Sequence, residues 1–180
     1  MYTTKSITRM GMLAALSVVL ASLIHFPLFP AASFLEYDPA DVPILLTAFW
    51  YGPLAGVLVT ALVCLIQGLT VSASGGLIGI LMHFIATSVF CIVAGVVYNR
   101  NPSQKRRIIG ILFGVVAMAV TMCGCNLVFT PIYTGMPVSD VAKMIVPIIL
   151  PFNLLKAGIN GIVAYLLFAA LQPVFQRSEA

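Results

Sequence analysis

An all-α bundle of six membrane-spanning helices is the fold this sequence predicts, and three observations carry it. The 180 residues are 61% hydrophobic and only 8% charged, with a mean hydropathy of +1.11, well outside soluble-domain usage. The charged residues gather into clusters that leave uncharged tracts at 10–35, 42–99, 108–139 and 157–176. The basic clusters (Lys5 and Arg9, then Arg100, Lys105, Arg106 and Arg107, then Arg177) share one membrane side only if even numbers of crossings separate them. A spanning helix takes roughly 20 apolar residues, so the tracts hold several crossings. Residues 1–180 read as one transmembrane unit, with no soluble domain left over.

The first span is expected at 9–27. It is too long for the apolar region of a secretion signal and no small-residue cleavage site follows it, so it reads as a retained helix. Residues 42–71 are apolar throughout but interrupted at Gly52-Pro53. Proline drives the residue before it out of the helical region, so two helices, 41–51 and 53–71, are expected. Charge agrees with the split: four crossings then precede the 100–107 loop and two more precede Arg177, which puts both termini in the cytoplasm. A single unbroken helix would place the four-charge loop outside. At ~1.5 Å per residue the 41–51 helix is too short to cross alone.

Spans at 78–98, 108–129 and 148–172 complete the set, with outer loops at 28–40, 72–77 and 130–147. Gly75-Gly76 and Gly79 read as a turn and a helix entry, and Asp140 with Lys143 as an outer loop or short interfacial helix. Glu36, Asp38, Asp41 and Asp140 fall in or beside outer loops and Glu179 near the C-terminal tip, so no carboxylate is expected deep in a span. The basic loop reads as a topology signal with lipid-headgroup contact. Nucleic-acid binding is excluded for want of a soluble fold to present that charge.

Several chemistries are missing. There is no G-x-x-x-x-G-K-[ST] phosphate loop, so the chain does not hydrolyse ATP, and active uptake would need a borrowed motor. Paired acids or His and Glu clusters for hydrolysis or phosphotransfer are absent too, which argues against an enzyme. A proton-coupled carrier would keep a titratable relay in the membrane. Only His25 and His83 qualify, and neither has an acid in its own span; His25 reads as interfacial and His83 as a satisfied bundle histidine. Cys64, Cys91, Cys123 and Cys125 lie in apolar runs and read as small hydrophobes. No metal is expected, because a two-residue spacing turns Cys123 and Cys125 to different helix faces.

What remains is a polar set inside the last two spans. Asn153, Lys156 and Asn160, at i, i+3 and i+7, share one face of the last helix. A lysine within a span costs roughly 3 kcal/mol, so it needs a partner or a wet cavity. Lys156 and Asn126 both sit near outer helix ends. One reading makes the asparagines interhelical glue and lets the lysine reach outward; it is preferred for Asn160, beside Gly158 and Gly161. For Asn126, Asn153 and Lys156 a ligand is preferred: amide donors, amide acceptors and one cation suit a heteroaromatic molecule with alternating carbonyl and N–H groups.

The stretches FLEYDPADVPILLTAFWYGPLAGVLV at 34–59, CNLVFTPIY at 125–133 and PFNLLKAGIN at 151–160 resemble the riboflavin-binding substrate-specificity subunits of energy-coupling factor (ECF) transporters. The likeness covers nearly the whole chain. The D-x-P at Asp41, the Gly-Pro and the small-residue helix after it are shared by several vitamin subunits, whereas Tyr37-Asp38 and the N-x-x-K of the last helix lean toward riboflavin. The resemblance implies an outward pocket for the isoalloxazine ring, contacted by Asn126, Asn153 and Lys156 and covered by neighbours such as Phe34, Leu35 and Tyr37. Riboflavin would be the transported ligand; no cofactor is implied. Partners implied are a membrane scaffold subunit and two ATP-binding subunits in a bacterial cell membrane, on which the small subunit docks and topples. Docking would use small residues on the first helix, here Gly11 and Ala15, although the family usually has alanine at both positions. Two other readings stay open: a subunit for another vitamin such as folate, thiamin or pantothenate, and a structural membrane protein with no small ligand.

Overall fold

A computed structural model describes residues 2–29, 35–70 and 76–179, with side chains described as far as 176. Helix α1 runs Thr4–Leu23, capped by Thr3, whose side chain accepts from the Ser6 amide. The sequence places this span four to five residues further on, at 9–27. Phe26–Pro27 instead form strand β1, paired antiparallel with β2, Glu36–Tyr37, in the register Phe26 to Tyr37 and Pro27 to Glu36. Hydropathy does not distinguish an apolar strand from the end of an apolar helix, but a proline, which has no N–H to donate, sits comfortably on such a two-stranded edge.

Helices α2, Asp41–Tyr51, and α3, Pro53–Leu69, meet at Gly52, whose φ of 94° is a left-handed value that favours glycine. Helix α4 spans Gly76–Asn99 and α5 spans Gln104–Thr134, longer than the expected 108–129. Pro131 lies in the last turn of α5, and Gly135 closes that helix in the left-handed conformation, φ 73°. The stretch expected as an outer loop or short interfacial helix forms the short helix α6, Val138–Met144, and a π-helical turn, Ile145–Ile149, joins it to α7, Leu150–Glu179. Pro147, inside that turn, has no N–H to offer the carbonyl four residues back, which favours local widening of the helix.

Polarity is inverted relative to a soluble protein. Asp41, Asn126, Asn153 and Asn160 are buried, while Leu58, Leu62, Phe113, Val116, Ile162 and Leu166 are exposed, the arrangement expected where lipid is the solvent. Among the described residues, four helical segments are long and apolar enough to cross a membrane: Thr4–Leu23, Gly76–Asn99, Gln104–Thr134 and Val138–Gln176. The α3 helix is shorter, and α2 is sealed from the surroundings over Asp41–Phe49. Because α2 packs on α1, α3, α4 and α7 at once, it is apolar all round without facing lipid. Helices α4 and α5 approach closely at Gly110, where a Cβ would come within 2.7 Å of the Ala94 carbonyl oxygen.

Candidate functional site

Helix α7 alternates sharply: Asn153, Lys156, Ala157, Asn160 and Ala164 are buried, while Leu154, Leu155, Ile159, Ile162 and Val163 are exposed. Its polar stripe therefore faces the bundle, against the β1–β2 hairpin and the N-terminus of α2. Between these, α4 and α5 lies a cavity of about 370 Å³, within the ~300–1,000 Å³ range of small-molecule sites. One wall is polar, with Asn126 and Thr130 from α5, Asn153 and Lys156 from α7, Glu36 and Asp38 from the hairpin strand and the residue after it, and His83 from α4. Apolar side chains also line the cavity: Leu35, Met82, Ala86, Met118, Met122 and Phe152. His25 and Tyr133 complete the lining with Ile78 and Gly79.

The lysine has its partner. The Lys156 ammonium donates to Asp38 Oδ2 at 2.6 Å and to the Glu36 carbonyl at 3.3 Å. Asp38 Oδ1 in turn accepts the Ala40 N–H at 3.0 Å, which turns the chain into α2. Asn160 Nδ2 donates to the Asp38 carbonyl and to Asp41 Oδ2, both at 3.0 Å, and its Oδ1 accepts from the Tyr37 hydroxyl at 3.1 Å. Asp41 Oδ1 accepts from Thr87 at 2.8 Å and faces His83 Nε2 at 3.4 Å. Burial first, and the Asp38 charge next, hold the Tyr37 hydroxyl above its ordinary pKa, so it stays protonated and able to donate. His25 Nε2 meets Glu36 Oε2 at 2.7 Å.

These contacts revise the expectation that the acids would merely occupy outer loops. Asp41 is fully buried and Asp38 only 7% exposed, and both compensate polar groups of α4 and α7. Both histidines find acids on other elements, although neither has one in its own span. Sequence reasoning missed Asp38, Asp41 and His83 as neighbours of the site. The available signal was Lys156 itself, since a buried cation demands an anion and the acids at and before the D-x-P had been given no partner.

Of the residues singled out from sequence, Asn126, Asn153, Lys156 and Leu35 line the one cavity together. Tyr37 does not line it: its hydroxyl goes to Asn160 and its ring packs on Phe26 at 5.5 Å. Phe34 lies outside the described residues. Gly11 and Ala15 are exposed one turn apart on α1.

Chemically, the cavity offers groups not wholly consumed by the protein. Asn126 spends one amide hydrogen on the Met122 carbonyl at 2.8 Å, while its Oδ1 accepts from Thr130 at 2.8 Å. Its second amide hydrogen remains. Asn153 donates to the Ile149 carbonyl, at the end of the π turn, at 2.8 Å. Its Oδ1 meets no donor among the described residues. The lining thus includes a remaining amide hydrogen, an amide oxygen and an ammonium beside apolar side chains.

Comparison with known proteins gives a consistent picture. The family described as "ECF transporter, substrate-specific component" matches residues 5–168. The riboflavin transporter RibU of Staphylococcus aureus (strain TCH60) is 32% identical, over 98% of this chain and 95% of that protein. The riboflavin transporter FmnP of Bacillus subtilis (strain 168) is 29% identical, over 98% and 96%. A solved structure described as the S component of a bacterial ECF transporter superposes with a TM-score of 0.82 at 30% identity, covering 95% of this chain and 97% of that one.

Proposed function

The chain belongs to the family of ECF transporter substrate-specific components, and on that premise we propose that it binds riboflavin with high affinity at the outer membrane face for uptake into the cell. The observation that carries this reading is the cavity that Asn126, Asn153 and Lys156 line together with Leu35, Met118 and Phe152. Relatives matched over nearly their whole length are riboflavin transporters.

The pyrimidine edge of isoalloxazine presents two carbonyls flanking an N–H. Asn153 Oδ1 suits the N–H, while the remaining Asn126 amide hydrogen and the Lys156 ammonium suit the carbonyls. Leu35 and the methionines take the ring faces and exclude water. Tyr37 acts at one remove, positioning the α7 stripe through Asn160. Asp38 and the Glu36 carbonyl hold Lys156 in place with two of its three N–H groups, and the third is left for a neutral ligand.

The rest of the reading concerns assembly. The chain acts as one unit of six helices with both termini cytoplasmic, α2 and α3 together completing the crossings. It works with a membrane scaffold and two ATP-binding subunits in a bacterial cell membrane, and Gly11 and Ala15 on the exposed face of α1 permit close approach of a scaffold helix.

Titration of the purified protein with riboflavin tests the site. Flavin fluorescence should be quenched to saturation at one ligand per chain, and excess folate, thiamin or pantothenate should not reverse it. Unchanged fluorescence at micromolar riboflavin would falsify the assignment, and displacement by another vitamin would transfer it to that vitamin.

A further inference from the structure

At the α4–α5 turn the chain concentrates positive charge where a helix least favours it. Helix α5 opens with Gln104, Lys105, Arg106 and Arg107 and has no acid in its first turn. Three cations therefore sit at the positive end of the helix dipole, an unfavourable arrangement unless an anion joins them. Ser103 Oγ accepts the Arg106 N–H at 3.2 Å, which leaves the amides of Gln104 and Lys105 among the helix's unsatisfied donors.

Arg107 differs from its two neighbours. It is only 7% exposed, and its Nε is enclosed with no hydrogen-bond acceptor. The guanidinium lies 4.6 Å from the centroid of the Tyr165 ring and 4.3 Å from that of Phe168. Both rings are fixed: Gln104 donates to the Tyr165 hydroxyl at 2.6 Å, and Phe168 packs edge-on against Phe49 and Tyr98 and stacks on Trp50. Ring faces offset part of the desolvation of a cation but supply no counter-charge. The acids among the described side chains, Glu36, Asp38, Asp41 and Asp140, belong to the hairpin, the start of α2 and α6. Along α5, Arg107 lies roughly 28 Å from cavity-lining Asn126 at ~1.5 Å per residue. A topology signal accounts for exposed Lys105 and Arg106, but it gives no reason to bury and clamp a third cation.

We propose that the first turn of α5, with Arg107 clamped between Tyr165 and Phe168, binds the phosphate of an anionic phospholipid headgroup. The helix N-terminus supplies amide donors and dipole, Lys105 and Arg106 add charge, and the held guanidinium donates from a fixed position. A lipid is favoured over a free anion because the same end of α5 also carries the exposed apolar residues Ile108 and Leu112, against which acyl chains can lie. At a membrane surface, each nearby cation favours anionic lipid severalfold.

The test compares phosphatidylglycerol, phosphatidylcholine of the same acyl chains, and inorganic phosphate, with binding to the purified protein read by native mass spectrometry and thermal protection. The wild type should prefer phosphatidylglycerol by about tenfold. In Arg107→Gln that preference should fall to within about twofold while riboflavin quenching is unchanged. Equal binding of both lipids by the wild type overturns the site, a result that needs no variant to fold. A preference that survives Arg107→Gln but vanishes in the Lys105→Gln, Arg106→Gln double variant also overturns it, since diffuse charge then suffices. Protection by inorganic phosphate as strong as by lipid would reassign the site to a soluble anion. Loss of assembly with an ECF module in Arg107→Gln at unchanged lipid preference would reassign it to a protein contact.

Discussion

The two ends of this bundle solve burial in opposite ways. At the hairpin end, Lys156, Asp38, Asn160, Asp41, Thr87 and Tyr37 are bonded into a polar network beside an open cavity. At the other end, Trp50 stacks on Phe175 at 4.7 Å and on Phe168 at 5.6 Å, while Phe49 and Tyr98 pack edge-on around Phe168. Polar atoms there serve as pegs for the rings, as where Trp50 Nε1 donates to Gln172 at 2.7 Å. The hairpin end is specified by directional bonds around a cavity, whereas the ring end is specified by the fit of stacked and edge-on rings. A site that must admit and release cargo needs the former, and a seal needs the latter.

Substitutions should separate the two ends. The largest effect is expected from Asp38→Asn, which strands the Lys156 ammonium: about 3–5 kcal/mol of stability should be lost, with riboflavin quenching abolished. Adding Lys156→Met should recover most of the thermal stability and none of the binding. If Asp38→Asn unfolds at the wild-type temperature, the pair does not hold the site together.

Asn153→Ala, next in size, removes the amide oxygen assigned to the ring N–H. Riboflavin affinity should fall about tenfold to a hundredfold with little change in melting temperature; an unchanged dissociation constant would remove Asn153 from the ligand set. At the ring end, Phe168→Ala should cost about 2 kcal/mol. That is less than the ~3–5 kcal/mol of a soluble core, because lipid rather than water is the alternative surrounding. Here the melting temperature should move and the riboflavin affinity should stay within about threefold. The smallest change is Tyr37→Phe, which deletes one hydrogen bond to Asn160 and should lower stability by about 1 kcal/mol, with a modest loss of affinity if positioning of α7 matters.

Much of the helical architecture was legible in the chain because its signals are local. The break at Gly52-Pro53 needs only a proline and its neighbour, and the structure places the junction at Gly52. The stripe of Asn153, Lys156 and Asn160 needs only the helical period, and all three are buried on one face. Helix ends are less legible: the apolar tract runs the first helix on through β1 and stops the fifth short of Thr134, because hydropathy reports apolarity without reporting backbone geometry. For the cavity, the sequence supplied Asn126, Asn153, Lys156 and Leu35. It also placed Tyr37 on the ligand, where the structure has it bonded to Asn160.

By itself, then, the sequence determined a membrane-embedded helical protein, the approximate helices, and the presence of amides and a lysine that lipid would not tolerate unpaired. Only the tertiary structure decided what satisfies them. Asp38 and Lys156 lie far apart along the chain, and their 2.6 Å contact exists only once the hairpin folds over α7. Burial cost is a property of each residue and can be read one residue at a time. The partner that offsets it is a property of chain topology, which periodicity and composition do not encode.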